Sequence, residues 1–313
     1  MEIKQEMAKP VSYQSKQKKP KRNIQERRFI IMSLTPILLL FIVFMVIPII
    51  WGIILSFYQY DPLADRSPFI ALKNYTELWK DPVFITSLKA TLIFVFVAVP
   101  ANILITLPIA SMINRVRNRF LRNTFRTLFF LPAIAPLSAA SLIWSTMLRS
   151  GNDGLFNMIL AYFGYENVGW LTDAKMAMIS VIILTLWADV AYNIIIFMAG
   201  LDAIPKVFYE AAELDGANGF QKFRHITLPL LQRTSLFILI MTVISYFQMF
   251  AQFQIMTKGG PSGATNVLSL SIYKTAFSYS RMGYASAMAT VLLVIILLIS
   301  LIQLRVGRSQ WEY

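Results

Sequence analysis

Six apolar runs divide the chain, over residues 30–57, 86–112, 124–147, 176–200, 233–256 and 284–304. Each is long enough to cross a bilayer as a helix, since about 20 residues rising 1.5 Å apiece span the hydrocarbon core. The pattern predicts an all-α polytopic membrane protein with six transmembrane helices. Pro36 and Pro48 interrupt the first run, Pro100 and Pro108 the second, Pro132 and Pro136 the third. Such breaks survive in a membrane where neighbouring protein or water satisfies the freed backbone groups, which favours a packed bundle over isolated anchors. Two polar passages between runs also carry helical patterns. Residues 73–88 form an amphipathic stretch whose Tyr75 and Trp79 suit a membrane interface.

The second such passage, residues 201–232, holds Glu210, Glu213, Asp215, Lys222, Arg224 and the only histidine, His225. Pro205 suits the first turn of a helix, where its missing N–H costs nothing. The pattern predicts a helix over 205–214, a left-handed cap at Gly216, and a second short helix over 218–226 that Pro229 halts. So long an ordered unit is expensive for a mere connector, and it suits a docking knob for a partner on that side of the membrane.

Composition agrees with the membrane reading. The chain is 57% hydrophobic and 14% charged, with a mean hydropathy of +0.59, where soluble domains carry about 25% charged residues. The net charge of +13 raises nucleic acid as a partner until the bases are located. Residues 1–28 form a basic tail, predicted to be disordered, and the apolar run behind it is too long for a signal-peptide core. This tail, the connections after the second and fourth runs, and the chain end at 309–313 with its approach hold 20 of the 29 bases. That asymmetry predicts both termini and residues 201–232 in the cytoplasm. It also excludes nucleic acid, since no single basic stripe forms; the partner is the lipid bilayer. Without cysteine, thiolate metal sites and disulfides are excluded, and one histidine cannot assemble an imidazole site, so no metal is expected.

Asp189 is the only acid within the six runs, and an intramembrane acid by default marks a pathway or a partner. Tyr192 and Asn193 follow on the same helix face. In the fifth run Ser245, Gln248 and Gln252 recur at steps of three and four, with Tyr246 among them. These residues offer amide, carboxylate and aromatic groups suited to a sugar, and equally the hydrogen bonds that join helices in membranes. No phosphate-cradling Gly-rich loop ending in Lys-Ser/Thr is present, nor any acid/base pair or nucleophile, so neither a nucleotide site nor a catalytic residue is expected.

Glu210, Ala211 and Ala212, then Gly216 with its neighbours Asp215 and Ala217, then Ile226, Leu228 and Pro229 resemble the cytoplasmic signature of permease subunits in ATP-binding-cassette importers. The resemblance covers residues 29–308. The stretches "FLPAIAP", "VGWLTDAKMAM" and "KGGPSGATNVLSLSIYKTAF" are similar to the oligosaccharide-uptake branch, in particular its MalF-like and UgpA-like subunits. It implies a type I importer permease fold with a cytoplasmic coupling helix, in a bacterial or archaeal cytoplasmic membrane. Glu210 and Gly216 would be transmission residues, and Gly259, Gly260 and Pro261 would mark a loop facing a binding protein. The implied partners are a second, MalG-like permease, two cytoplasmic ATP-binding subunits that carry ATP and Mg, and an extracellular or periplasmic sugar-binding protein. The chain itself would be no enzyme. The extra amino-terminal spans and external domain of the maltose subunit are not expected here, so maltose is not implied. Glycerol-3-phosphate uptake is the alternative within the family, although its double charge would call for basic residues at span centres, where none lies. An ion-driven secondary transporter would need two related halves, which the sequence does not display.

Overall fold

Backbone groups cannot be left to lipid, so apolar runs of this length close their hydrogen bonds internally as helices. The computed structural model describes residues 24–307, and among them all the regular elements are helical. Most of the predicted basic tail and the predicted cytoplasmic end at 309–313 lie outside the described residues. The chain divides into two compact units at Trp51 and Gly52. The first unit carries α1 (Ile24–Phe41) and a π-helical segment, Ile42–Val46, and enters α2 (Ile47–Leu55). Pro36 sits inside α1 without ending it.

The second unit opens with the short α3 (Lys73–Leu78), then α4 (Pro82–Arg115), whose amino end Asp81 caps by accepting from the Val83 N–H at 2.8 Å. The predicted 73–88 stretch is thus two elements, and Pro82 begins the longer one. After α5 (Arg119–Ile134) and α6 (Leu137–Met147) comes α7 (Leu155–Tyr162), then α8 (Ala174–Asp202), capped by Asp173. The polar passage folds as α9 (Lys206–Leu214), α10 (Gly219–Lys222), a π-helical segment Phe223–Thr227 and α11 (Leu228–Leu230). The chain continues as α12 (Gln232–Phe247), α13 (Ala251–Met256), α14 (Leu268–Tyr273) and α15 (Met282–Val306).

Among the described residues, five helical stretches are apolar and long enough to cross a membrane: Arg28–Leu55, Pro82–Arg115, Ala174–Asp202, Gln232–Met256 and Met282–Val306. The sixth predicted span is α5 with α6, which bend by 89° at their junction. The predicted run over 124–147, with its breaks at Pro132 and Pro136, is thus carried by two helices. Proline disfavours the helical region for the residue before it, and Ala135 and Pro136 are both extended, at ψ of 131° and 125°.

Within the second unit α4 packs along α8, α5 against α8, and α12 against α4 and α15. Phe94, Leu184, Phe247, Phe253 and Leu268 centre one core, and Ala110, Ile194, Phe197, Leu231 and Ile238 a second. Ile113 and Leu201 belong to this second core, which gathers the α4 and α8 ends that adjoin the polar passage.

Candidate functional site

Two regions hold most of the residues that the sequence singles out. The first is the polar passage. Pro205 precedes α9 as its N-cap, and the helix ends at Asp215 because Gly216 turns left-handed, at φ +74°. Asn218 then starts α10 with a reciprocal capping box: its Oδ1 accepts from the Gln221 N–H at 2.9 Å, while Gln221 Oε1 accepts from the Asn218 N–H at 2.7 Å. Pro229 does not halt the second limb, contrary to expectation. The preceding π-helical turn pairs the Leu228 N–H with the Phe223 carbonyl, and Pro229, lacking an N–H, sits in the first turn of α11. The two limbs are tied by Lys222 Nζ to Glu213 Oε1 at 2.8 Å and by the Tyr209 and Thr227 hydroxyls at 2.9 Å. The Lys222 ammonium holds the Glu213 carboxyl below the usual carboxylate range, so this pair persists at neutral pH and is lost only on acidification.

Around this frame Glu210, Ala211, Asp215, Gly216, Leu228 and Pro229 are exposed, while Ala212, Ala217 and Ile226 are half-buried. Val207, Phe208, Leu214 and Phe220 are large apolar side chains left open, Leu214 at 91% exposure. An apolar surface rimmed by carboxylates on so well-tied a unit has the character of a docking face.

The second region lies near the middle of α8. Asp189, Tyr192, Asn193, Met241, Thr242, Ser245 and Tyr246 line a cavity of about 230 Å³ between α8 and α12. One side is closed by a buried polar chain. Asn193 Nδ2 donates to Thr242 Oγ1 at 3.1 Å and to Asn102 Oδ1 at 2.8 Å; Asn102 Nδ2 donates to the Tyr246 hydroxyl at 2.9 Å. Tyr246 and Asp189 face the cavity together at the end of this chain. Tyr192 and Ser245 remain exposed on the other side. The groups that face the open side are therefore Tyr192 and Ser245, with Asp189 half-buried beside them, while Asn193 and Tyr246 also join helices.

Gln248 and Gln252 do not line this cavity. The fifth predicted span breaks at residues 248–250, between α12 and α13, which leaves Gln248 exposed. Gln252 is buried, with Nε2 facing Thr185 Oγ1 at 3.3 Å and Met249 Sδ at 2.7 Å. Sequence reasoning missed Asn102 and Thr242. The signal existed, because Asn102 is the only amide side chain in the second apolar run.

Gly259, Gly260 and Pro261 fall in a tightly held loop after α13. Thr265 Oγ1 donates to the Gly260 carbonyl at 2.6 Å, and Lys274 Nζ to the Lys258 carbonyl at 2.8 Å. Burial pushes the pKa of the Lys274 ammonium down. Asn266 Nδ2 and the Leu268 N–H fix the loop to Ser87 and Thr91 of α4 at 2.9 and 2.7 Å.

Residues 102–311 match the family model described as binding-protein-dependent transport system inner membrane component. The chain is 36% identical over 276 residues to a probable ABC transporter permease protein, YurN, of Bacillus subtilis (strain 168), covering 88% of this chain and 94% of that one. It is 34% identical over 275 residues to the arabinooligosaccharides transport system permease protein AraP of the same organism, covering 88% and 87%. Among solved structures, a chain of a bacterial ABC transporter involved in the import of the acidic polysaccharide alginate superposes with a TM-score of 0.82 at 24% identity, over 92% of this chain and 98% of that one.

Proposed function

The chain belongs to the family of binding-protein-dependent transport system inner membrane components, and from that premise we propose that it is a permease subunit of an ATP-driven carbohydrate importer. The observation that carries this reading is the tie between the exposed loop and the cavity. α9 follows α8 after a three-residue turn, and α10 runs through the π-helical segment and α11 into α12. A partner that pulls on the α9–α10 unit therefore moves the two helices whose side chains line the cavity.

In the cycle, two cytoplasmic ATPase subunits close on ATP and Mg and draw this chain and a second permease from an inward-open to an outward-open arrangement. A binding protein outside the cell delivers the sugar. Asp189 accepts from sugar hydroxyls, Ser245 exchanges hydrogen bonds with them, and Tyr192 offers a ring face to their C–H surface. Both chain termini and the coupling loop face the cytoplasm. Arabinooligosaccharide transport by a relative supports oligosaccharides as the cargo class.

The test is reconstitution of this chain with its second permease, ATPase and binding protein in proteoliposomes. ATP-dependent accumulation of a labelled neutral oligosaccharide is expected. Uptake of glycerol-3-phosphate in place of every oligosaccharide in the panel would overturn the carbohydrate assignment.

A further inference from the structure

Toward the amino-terminal ends of α4 and α8 runs a second hollow, of about 510 Å³. Ala90, Ile93 and Val97 of α4 form one wall, and Met178, Ile179 and Ile182 of α8 the other. Ile93, Val97 and Ile179 are exposed, so the groove opens laterally. Gly263 and Ala264 of the held loop close its outer end. The α4 wall, Thr86 to Val97, is about 16 Å long at 1.5 Å per residue, close to half of a hydrocarbon core roughly 30 Å thick.

Apolar walls alone would name no occupant. The mouth does. Lys89 and Lys175 lie on the two helices at the amino-terminal end of the groove, and both are exposed. Among the described residues neither ammonium has an ion-pair partner, whereas Arg122, Arg149, Lys222 and Arg281 each have one. A half-bilayer-length apolar slot with two unpaired cations at its interfacial end matches a molecule with an acyl chain and an anionic head. We propose that this groove is a binding site for an anionic phospholipid of the outer leaflet, its phosphate between Lys89 and Lys175 and one acyl chain along Ile93, Val97 and Ile179. The placement in the outer leaflet rests on the proposed cytoplasmic position of both termini; the site itself does not depend on which sugar is carried.

Binding there would brace α8 against α4 from the lipid side. Because α8 also carries Asp189, the lipid composition would bear on transport through the stability of this pair.

The experiment uses the assembled importer in phosphatidylcholine nanodiscs containing a trace of phosphatidylglycerol with a photoactivatable group on one acyl chain. Adducts mapped by mass spectrometry are expected within residues 86–97 and 174–182. Unlabelled phosphatidylglycerol should compete roughly tenfold better than phosphatidylcholine, given about 1 kcal/mol per basic residue near a lipid surface, partly screened. Lys89→Gln with Lys175→Gln should abolish that preference while leaving photolabelling at the phosphatidylcholine level. Equal competition by both lipids in the wild type would overturn the proposal, leaving a groove without headgroup selection. Absence of adducts from the groove in the assembled complex would also overturn it, because a protein helix would then be the occupant. Both readings come from the wild type alone, so a variant that fails to assemble leaves the test intact.

Discussion

Gly216 and Gly283 show two different reasons for a glycine. A Cβ built on Gly216 meets nothing within 4 Å, yet its φ is +74°. Conformation, not room, demands glycine there, and left-handed backbone strains a β-branched residue most while asparagine tolerates it. Gly216→Val is therefore expected to leave the protein inserted but to abolish binding-protein-stimulated ATPase activity, with Gly216→Asn largely retaining it. Wild-type stimulation in the valine variant would show that the turn plays no part in coupling. Gly283 is the opposite case, since its Cβ would lie 2.1 Å from the Tyr58 carbonyl oxygen and 2.7 Å from the Tyr60 nitrogen. Both are backbone atoms, and the Gly283 N–H donates to the Tyr60 carbonyl at 2.9 Å. Gly283→Ala must push this contact apart, at a cost of about 1–3 kcal/mol for forced overpacking. The melting temperature of the purified complex should fall, with residual transport keeping its sugar affinity. Only the first of these glycines was legible in the sequence. Its place between two helical patterns announces a left-handed cap, whereas Gly283 answers to a loop more than two hundred residues upstream.

Among elements, the meeting of α4, α8 and α12 separates side chains that join helices from those free to meet a ligand. Asn193 donates to two side chains on two other helices, so Asn193→Leu strands Asn102 Oδ1 and removes the partner of Thr242. Leaving a buried polar group unpaired costs about 1–3 kcal/mol. Thermal stability should drop while any folded complex keeps its sugar affinity, and Gln252→Leu belongs to the same class because Gln252 is buried against Thr185. Ser245→Ala and Asp189→Asn are expected to act the other way, weakening the apparent affinity for transport several-fold or more with little change in melting temperature. Both quantities measured on the same preparations decide the matter; unchanged uptake affinity in Ser245→Ala and Asp189→Asn together would retire the cavity as a sugar site. The apolar runs made the existence of these helices legible, because length and hydropathy are local properties. Their breaks were less so. Pro136 marks the 89° bend between α5 and α6, and its proximity to Pro132 was visible. The gap at residues 248–250, however, contains no proline or glycine. It is held by a neighbour, Ser269 Oγ donating to the Met249 carbonyl, and such a contact has no local signature. That gap is why Gln248 and Gln252, four residues apart and on one face of an unbroken helix, part company in the fold.

At the scale of the whole molecule the arrangement depends on which side of the membrane each end of the bundle meets. Along the sequence, 20 of the 29 bases fall in the tail, the alternate connections and the chain end, and the proposed orientation follows from that Lys/Arg bias, which orients spans more reliably than net charge. The helices respect this division: α4 ends at Arg115, α8 at Asp202 and α12 begins at Gln232, all around the α9–α10 unit, while α4 begins at Pro82 and α8 at Ala174 on the opposite side. In the proposed orientation the α9–α10 unit faces the cytoplasm, where an ATPase can reach it, so the proposed orientation and the proposed mechanism stand or fall together. The chain contains no cysteine, which makes each introduced thiol unambiguous. Asp65, Asn152 and Asn218 are all exposed, and each can be replaced singly by cysteine. In intact cells from which any outer barrier has been removed, an impermeant maleimide should label Asp65→Cys and Asn152→Cys at once. Asn218→Cys should react only after the membrane is permeabilised, and co-expression of the cognate ATPase should then slow its labelling by covering the loop. Immediate reaction of Asn218→Cys in sealed cells would reverse the topology and, with it, the assignment of the loop to an ATPase.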